Sequence, residues 1–191
     1  MELFEIKDGW ILFQKHFFDE HHADELYKEL IEKIDWQQGN IQLFGKTHLI
    51  PRLEAFYSLN GENYGYSNKS LIPKTYFDTL TKIHQCIEAE SGVTFNSVLA
   101  NYYRDGNDSN GWHADNEKEL GIDPVIASIS LGVERRFDLK HNMTKEKISF
   151  HLSHGSLLIM GGSLQHNWKH TLAKAKKIEE GRINLTFRKI V

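Results

Sequence analysis

In "FFDEHHADELYKELIEKI", Phe17 to Ile34, apolar residues return every three or four positions: Ala23, Leu26, Leu30, Ile31 and Ile34. That spacing lines one face of a helix. Asp19 stands just ahead of it, where a carboxylate can accept a free N–H of the first turn. A second helix is predicted in "IPKTYFDTLTKIHQCIEAESG", opened near Pro73 and closed before Gly92. The stretch between them is rich in Gly, Asn and Tyr, which predicts short strands and exposed loops.

Beyond Gly92 the pattern shortens. "TFNSVLANYY", "PVIASISLG", "RRFDLK", "KISFHL", "GSLLIM", "HNWKH" and "RINLTFR" are strand candidates separated by turns. Their order predicts a mainly β fold, an antiparallel barrel or jelly roll with the two helices supporting it from outside. "RINLTFR" alternates most clearly. Arg182, Asn184, Thr186 and Arg188 share one face, and Ile183, Leu185 and Phe187 share the other. A face with two arginines makes a poor core and a good lining for a pocket that holds an anion.

The chain has 191 residues, enough for one domain with a sizeable core. No repeat, low-complexity tract or linker divides it, so residues 1–191 are expected to form a single domain with a change of character after Gly92. The net charge of -3 excludes a polycation, so any nucleic acid contact must come from a local basic face. The one cysteine, Cys86, rules out a disulfide framework within the chain and a Cys-rich zinc site. No apolar run reaches membrane-span length, and the start "MELFEIKDGW" does not read as a signal peptide. No membrane partner is expected, and a reducing cytoplasm is the default location.

Candidate chemistry lies in "GWHADNEKE", Gly111 to Glu119. His113 and Asp115 sit two residues apart in a run too polar for a core. In an extended segment both side chains point the same way, and an imidazole and a carboxylate so placed can hold a divalent metal ion. Two histidines and one carboxylate would form a facial triad with open positions for a chelating cosubstrate and oxygen. The third ligand could be His141, His151, His154, His166 or His170, and spacing does not choose among them.

Several motifs, taken together and in order, make a choice. "GKTHLIPRLEAFY", "NYYRDGNDSNGWHADNE", "PVIASISLGVERRF", "HGSLLIMGGSLQHNWKH" and "GRINLTFR" resemble the AlkB-type family of iron(II) and 2-oxoglutarate dependent dioxygenases, which repair alkylated nucleic acid bases. The resemblance runs from about Gly45 to Arg188 and is nearest to the animal-type repair enzymes. It implies a double-stranded β-helix, the cupin-like form of the jelly roll. Residues 1–92 would supply the helices and a substrate lid, and residues 93–191 the catalytic core.

It also implies site residues. His113, Asp115 and His170 would bind Fe(II), leaving His166 as a decoy and His141, His151 and His154 at the surface or in packing. Arg182 would pair with the distal carboxylate of 2-oxoglutarate, a task suited to a bidentate guanidinium. Arg188 would lie near the iron-binding end of that cosubstrate, with Asn184 between the arginines. Asn101 and Tyr103 would hydrogen-bond 2-oxoglutarate. Glu117 matches the acidic residue facing the base pocket, where a carboxylate tolerates the positive charge of an alkylated base; Asn116 replaces the family's commoner aspartate. Arg136 would line the base cavity, with Glu134 and Arg135 exposed. Lys46 or Arg52 would touch phosphate. Phe56, Tyr57 and Tyr64 are stacking candidates, and Tyr66 and Ser67 match the lid's Tyr-Ser element, although "YSLNG" departs from the family pattern.

The implied reaction is oxidative dealkylation of 1-methyladenine and 3-methylcytosine in DNA, extending to RNA. It consumes O2, turns 2-oxoglutarate into succinate and carbon dioxide, and releases formaldehyde. The expected protein is a monomer, cytoplasmic in a prokaryote and nuclear or cytoplasmic in a eukaryote. A second reading keeps the iron chemistry and moves it to a peptide, lipid or small molecule. A third, a non-enzymatic nucleic-acid or sugar-binding jelly roll, leaves the triad and both strand arginines unexplained.

Overall fold

The computed structural model describes residues 1–43, 45–61, 64–66 and 69–191; for Leu43 and residues 64–66, 69 and 70 it describes the backbone alone. The first half contains β1 (Glu2–Ile6), β2 (Gly9–Gln14), α1 (Glu20–Lys33), β3 (Asn40–Leu43), β4 (Lys46–Leu49), β5 (Leu53–Ser58), β6 (Tyr64–Tyr66), β7 (Lys69–Leu71) and α2 (Asp78–Ser91). The second half contains β8 (Ser97–Tyr103), β9 (Asn110–His113), a 3-10 turn (Lys118–Leu120), β10 (Ile126–Gly132), β11 (Arg135–His141), β12 (Lys147–Leu152), β13 (Ser156–Gly161), α3 (Leu164–Asn167), β14 (Trp168–Leu172) and β15 (Arg182–Arg188).

Helix α1 starts as its sequence requires. Asp19 accepts the backbone N–H of His22 at 2.8 Å, a cap worth about 1 kcal/mol. Ala23, Leu26, Leu30 and Ile34 are buried. Helix α2 ends at Gly92, whose φ of 67° is the left-handed conformation that glycine adopts without strain. It begins later than Pro73 because the preceding segment serves the sheet. Lys74 exchanges backbone hydrogen bonds with Phe56 and Ser58, extending the edge of β5.

Two sheets dominate. The larger has the order β1-β2-β13-β10-β15-β8-β5 and the smaller β12-β11-β14-β9, with every strand pair antiparallel. Both helices pack on one face of the larger sheet, through Leu30, Ile83 and Ile87 against Ile129, Ile183, Leu185 and Phe187. A second core, including Leu99, Met160, Leu139, Phe150 and Trp168, fills the space between the sheets.

The closed barrel that the strand order predicts does not form. Among the described residues the sheets do not close into a barrel, and no strand of one pairs with a strand of the other. The larger sheet ends at β1 and β5 and the smaller at β12 and β9. The fold is therefore a mixed, sheet-rich α/β arrangement, with three helices among the described residues, not a closed double-stranded β-helix or cupin-like jelly roll. Alternation places residues on inner and outer faces identically in a barrel and in two open layers, so the pattern alone could not separate them. Strands β1, β2 and β5 of the first half pair directly into the larger sheet. No helix among the described residues is long and apolar enough to cross a membrane.

Candidate active site

The inner face of the larger sheet turns polar at its centre. Strand β15 lies between β8 and β10, with Arg182 opposite Tyr103 and Gly132, and Asn184 opposite Asn101 and Ser130. The even positions of "RINLTFR" thus face the cavity between the sheets, and the odd positions join the helix-side core. Across that cavity, β9 and β14 of the smaller sheet pair with His113 directly opposite His170. Asp115 follows β9, with both its backbone and its side chain buried.

His113, Asp115 and His170 converge, each offering one ligand atom, all within 4.8 Å of one another. His113 Nδ1 lies 2.7 Å from the carbonyl of Gly111. A ring that donates there keeps the lone pair of Nε2 for the centre. His170 Nε2 is 3.1 Å from His113 Nε2, and Asp115 Oδ1 is 3.7 Å from it. Asp115 Oδ1 is buried without a hydrogen-bond partner. Two facing imidazole nitrogens and a bare carboxylate oxygen suit a shared divalent cation, and this donor set fits iron(II).

The electrostatics agree. Burial, reinforced by His113, pushes the imidazolium pKa of His170 down to about 3. Burial also lowers that of His113. Both rings are therefore neutral, as ligation requires. Burial alone would raise the carboxyl of Asp115, but the Arg188 guanidinium beside it holds it below the ordinary aspartate range. Arg188 donates to Asp115 Oδ2 at 2.7 Å.

The cosubstrate candidates form one connected wall. Arg182 donates to Ser130 Oγ and to Asn184 Oδ1, each at 2.8 Å, and lies 5.4 Å from the Tyr103 ring centre. Its Nε is buried without a partner. Burial pushes its pKa down to about 10, a cost that an anion beside it would offset. Asn184 also accepts from Ser128 and donates to Thr186. Asn101 accepts from Arg52 Nε at 2.8 Å. Asn101, Tyr103, Arg182, Asn184 and Arg188 all line the cavity that contains the three metal-site residues.

Several expected positions fall elsewhere. Arg136 is exposed on the outer face of β11, donating to Asp138 and Ser149, while Arg135 is buried. Arg135 donates to the backbone carbonyls of Asp105, Asp108 and Ala173, joining two loops. Phe137, on the same face as Arg135, lines the cavity. Counting back by twos from inward-facing Leu139 reaches Phe137 and Arg135, which is the signal that would have found them.

Phe56 is buried between the sheets and Tyr57 against the helix side, 5.8 Å from Phe77 ring to ring. Neither presents a stacking surface. Arg52 is a buried cavity residue rather than a surface phosphate contact, whereas Lys46 is exposed on β4. Glu117 is half-buried before the 3-10 turn and is not among the cavity-lining residues. The side chains of Tyr64 and Tyr66, and the whole of Ser67, lie outside the described residues. His166 is exposed on α3, with Nε2 3.3 Å from Asp123. Asn110 and Met160, which lie within the quoted motifs without an assigned role, and Leu172, which lies outside them, also line the cavity.

A His-Asp-His centre opening onto an arginine-walled cavity between two sheets defines a metal-dependent oxygenase class. The sequence profile of the 2OG-Fe(II) oxygenase superfamily matches residues 11–188. The bovine protein DNA oxidative demethylase ALKBH2 is 37% identical over 91% of this chain, which spans 66% of that relative, just under two thirds of its length. The human ALKBH2 is 38% identical over 91% of this chain and 71% of its own length. The solved structure of OsALKBH1 superposes with a TM-score of 0.65 at 18% identity, covering 98% of this chain and all of that one, and so shares the fold. The chain belongs to the AlkB-type 2OG-Fe(II) oxygenase superfamily.

Proposed function

We propose that this protein oxidatively removes methyl groups from alkylated nucleic acid bases, with 1-methyladenine and 3-methylcytosine in DNA as its substrates and RNA within its range. The observation that carries the reading is the triad and Arg182 lining a single cavity. The identity to proteins named DNA oxidative demethylase supports the substrate class.

Iron(II) held by His113, Asp115 and His170 would supply the oxidation, using O2 and 2-oxoglutarate and leaving succinate, carbon dioxide and formaldehyde. The chain's own residues bind and orient. Arg182 takes the distal carboxylate of 2-oxoglutarate, with Asn101 and Tyr103 donating beside it. Arg188 keeps Asp115 ionised and turned to the centre. Leu99, Phe137, Met160 and Leu172 give the cavity its apolar lining. The exposed Lys46 is free to meet phosphate. Base turnover requires an extruded or single-stranded base, and a methyl group on the pairing edge lowers the cost of extrusion.

The test is mass spectrometry on methylated single-stranded DNA, duplex DNA, RNA and a peptide mixture, each with iron(II) and 2-oxoglutarate. Loss of one CH2 from an adenine or cytosine lesion supports the reading. Oxidation of a peptide with every methylated nucleic acid left intact contradicts it.

A further inference from the structure

Gln165 lies within "HGSLLIMGGSLQHNWKH" with no role assigned to it, yet it is among the least exposed polar side chains of the described residues, at 1%. It sits in α3, next to the exposed His166. Its Oε1 accepts the backbone N–H of Asp115 at 3.0 Å, across fifty positions of sequence. Its Nε2 faces the thioether of Met160 at 3.8 Å, and Met160 lines the cavity.

The Asp115 backbone needs such a partner. Strand β9 ends at His113, and the 3-10 turn starts only at Lys118, so Asp115 lies between the two without strand pairing. Its N–H is buried, and an unpaired buried donor is costly enough for the backbone to turn in search of another acceptor. Such a turn would carry the carboxylate with it.

We propose that Gln165 is a positioning residue for the metal centre. Arg188 fixes the carboxylate through Oδ2, and Gln165 fixes the peptide behind it, so that Oδ1 stays aimed between His113 and His170. This rests on the assignment of the triad as metal ligands. Outer hydrogen bonds of this kind change metal affinity because they set ligand orientation before the ion arrives.

The experiment compares wild type, Gln165→Met and Gln165→Glu as full chains. Met keeps the volume and loses the acceptor; Glu keeps an acceptor oxygen in either protonation state. Metal-free protein is titrated anaerobically with iron(II) and separately with cobalt(II), whose visible spectrum reports ligand geometry. Melting curves in chelator establish that each variant is folded, and Gln165→Ala replaces the Met variant if that one is not. Gln165→Met should bind iron(II) about 10–100-fold more weakly and shift the cobalt spectrum, with Gln165→Glu remaining near wild type. Equal affinity in Met and wild type, or equal losses in Met and Glu, would overturn the proposal. Wild type that binds neither metal would overturn the triad assignment itself, and this inference with it.

Discussion

Arg188 donates to Oδ2 of Asp115 at 2.7 Å through a terminal nitrogen and at 3.3 Å through Nε, so the carboxylate turns only Oδ1 toward the two histidines. Both side chains are buried, at 5% and 3% exposed. Removing one partner of a buried pair strands the other charge. Arg188→Met should therefore destabilise the metal-free protein by about 3–5 kcal/mol. Denaturant unfolding in chelator measures this, and an unchanged midpoint would mean that the pair does not hold Asp115 in solution.

The two candidate distal histidines differ in burial and direction. His170 faces His113 across β14 and β9, and His166 pairs with Asp123 at the surface. His170→Ala should abolish most iron(II) binding, while His166→Ala should leave it near wild type. Isothermal titration of both variants separates them, and equal losses would reject His170 as the ligand.

Arg182 is a cation held in the cavity wall with its Nε unpaired. Arg182→Met should cost on the order of 2–5 kcal/mol of 2-oxoglutarate affinity, the range for a desolvated charge pair losing one partner. The same change relieves the burial of a charge, so the melting temperature of the metal-free protein should not fall. Cosubstrate titration on the metal-loaded variant and melting curves without metal provide the two readings. An unchanged dissociation constant would place Arg182 outside the cosubstrate pocket.

Asp108 braces the loop between β8 and β9, which delivers His113. It accepts from Arg104 Nε at 2.7 Å, Nη2 at 2.9 Å and the Arg104 backbone at 2.9 Å. Burial raises its pKa, but the Arg104 hydrogen bonds prevail and leave it lowered in the fold. A depressed folded pKa gives stability that is full above the ordinary aspartate value and is lost as pH falls through the lower one. Asp108→Asn should lower stability at neutral pH, and its gap from wild type should narrow under acid. Stability curves that stay parallel from pH 7 to acid would contradict this.

Much of the site could be read in the sequence because strand alternation is local. The polar face of "RINLTFR" and the His113–Asp115 spacing each depend on a few neighbouring residues, and both reappear in the cavity. Other features depend on distant pairing. Arg135 and Arg136 lie on opposite faces by alternation, but which face is inner follows from the packing of Leu139 between the sheets. The hairpin β1–β2 is local by contrast: the two-residue loop Lys7–Asp8, with Asp8 at φ 60°, joins the two apolar runs of "LFEIKDGWILF". Closure of the sheets depends on whether edge strands meet, which no single strand encodes. Gln165 acquires its importance only from Asp115, fifty positions away.

The proposed coupling of 2-oxoglutarate consumption to base demethylation in one cavity fixes the ratio of their products. Its most direct test is stoichiometry on a single-stranded oligonucleotide carrying one 1-methyladenine, with succinate, formaldehyde and repaired adenine quantified together. All three should appear in equal amounts, and all three should vanish in His170→Ala. Succinate formed at the same rate with and without the lesion, with the methyl group still in place, would contradict it.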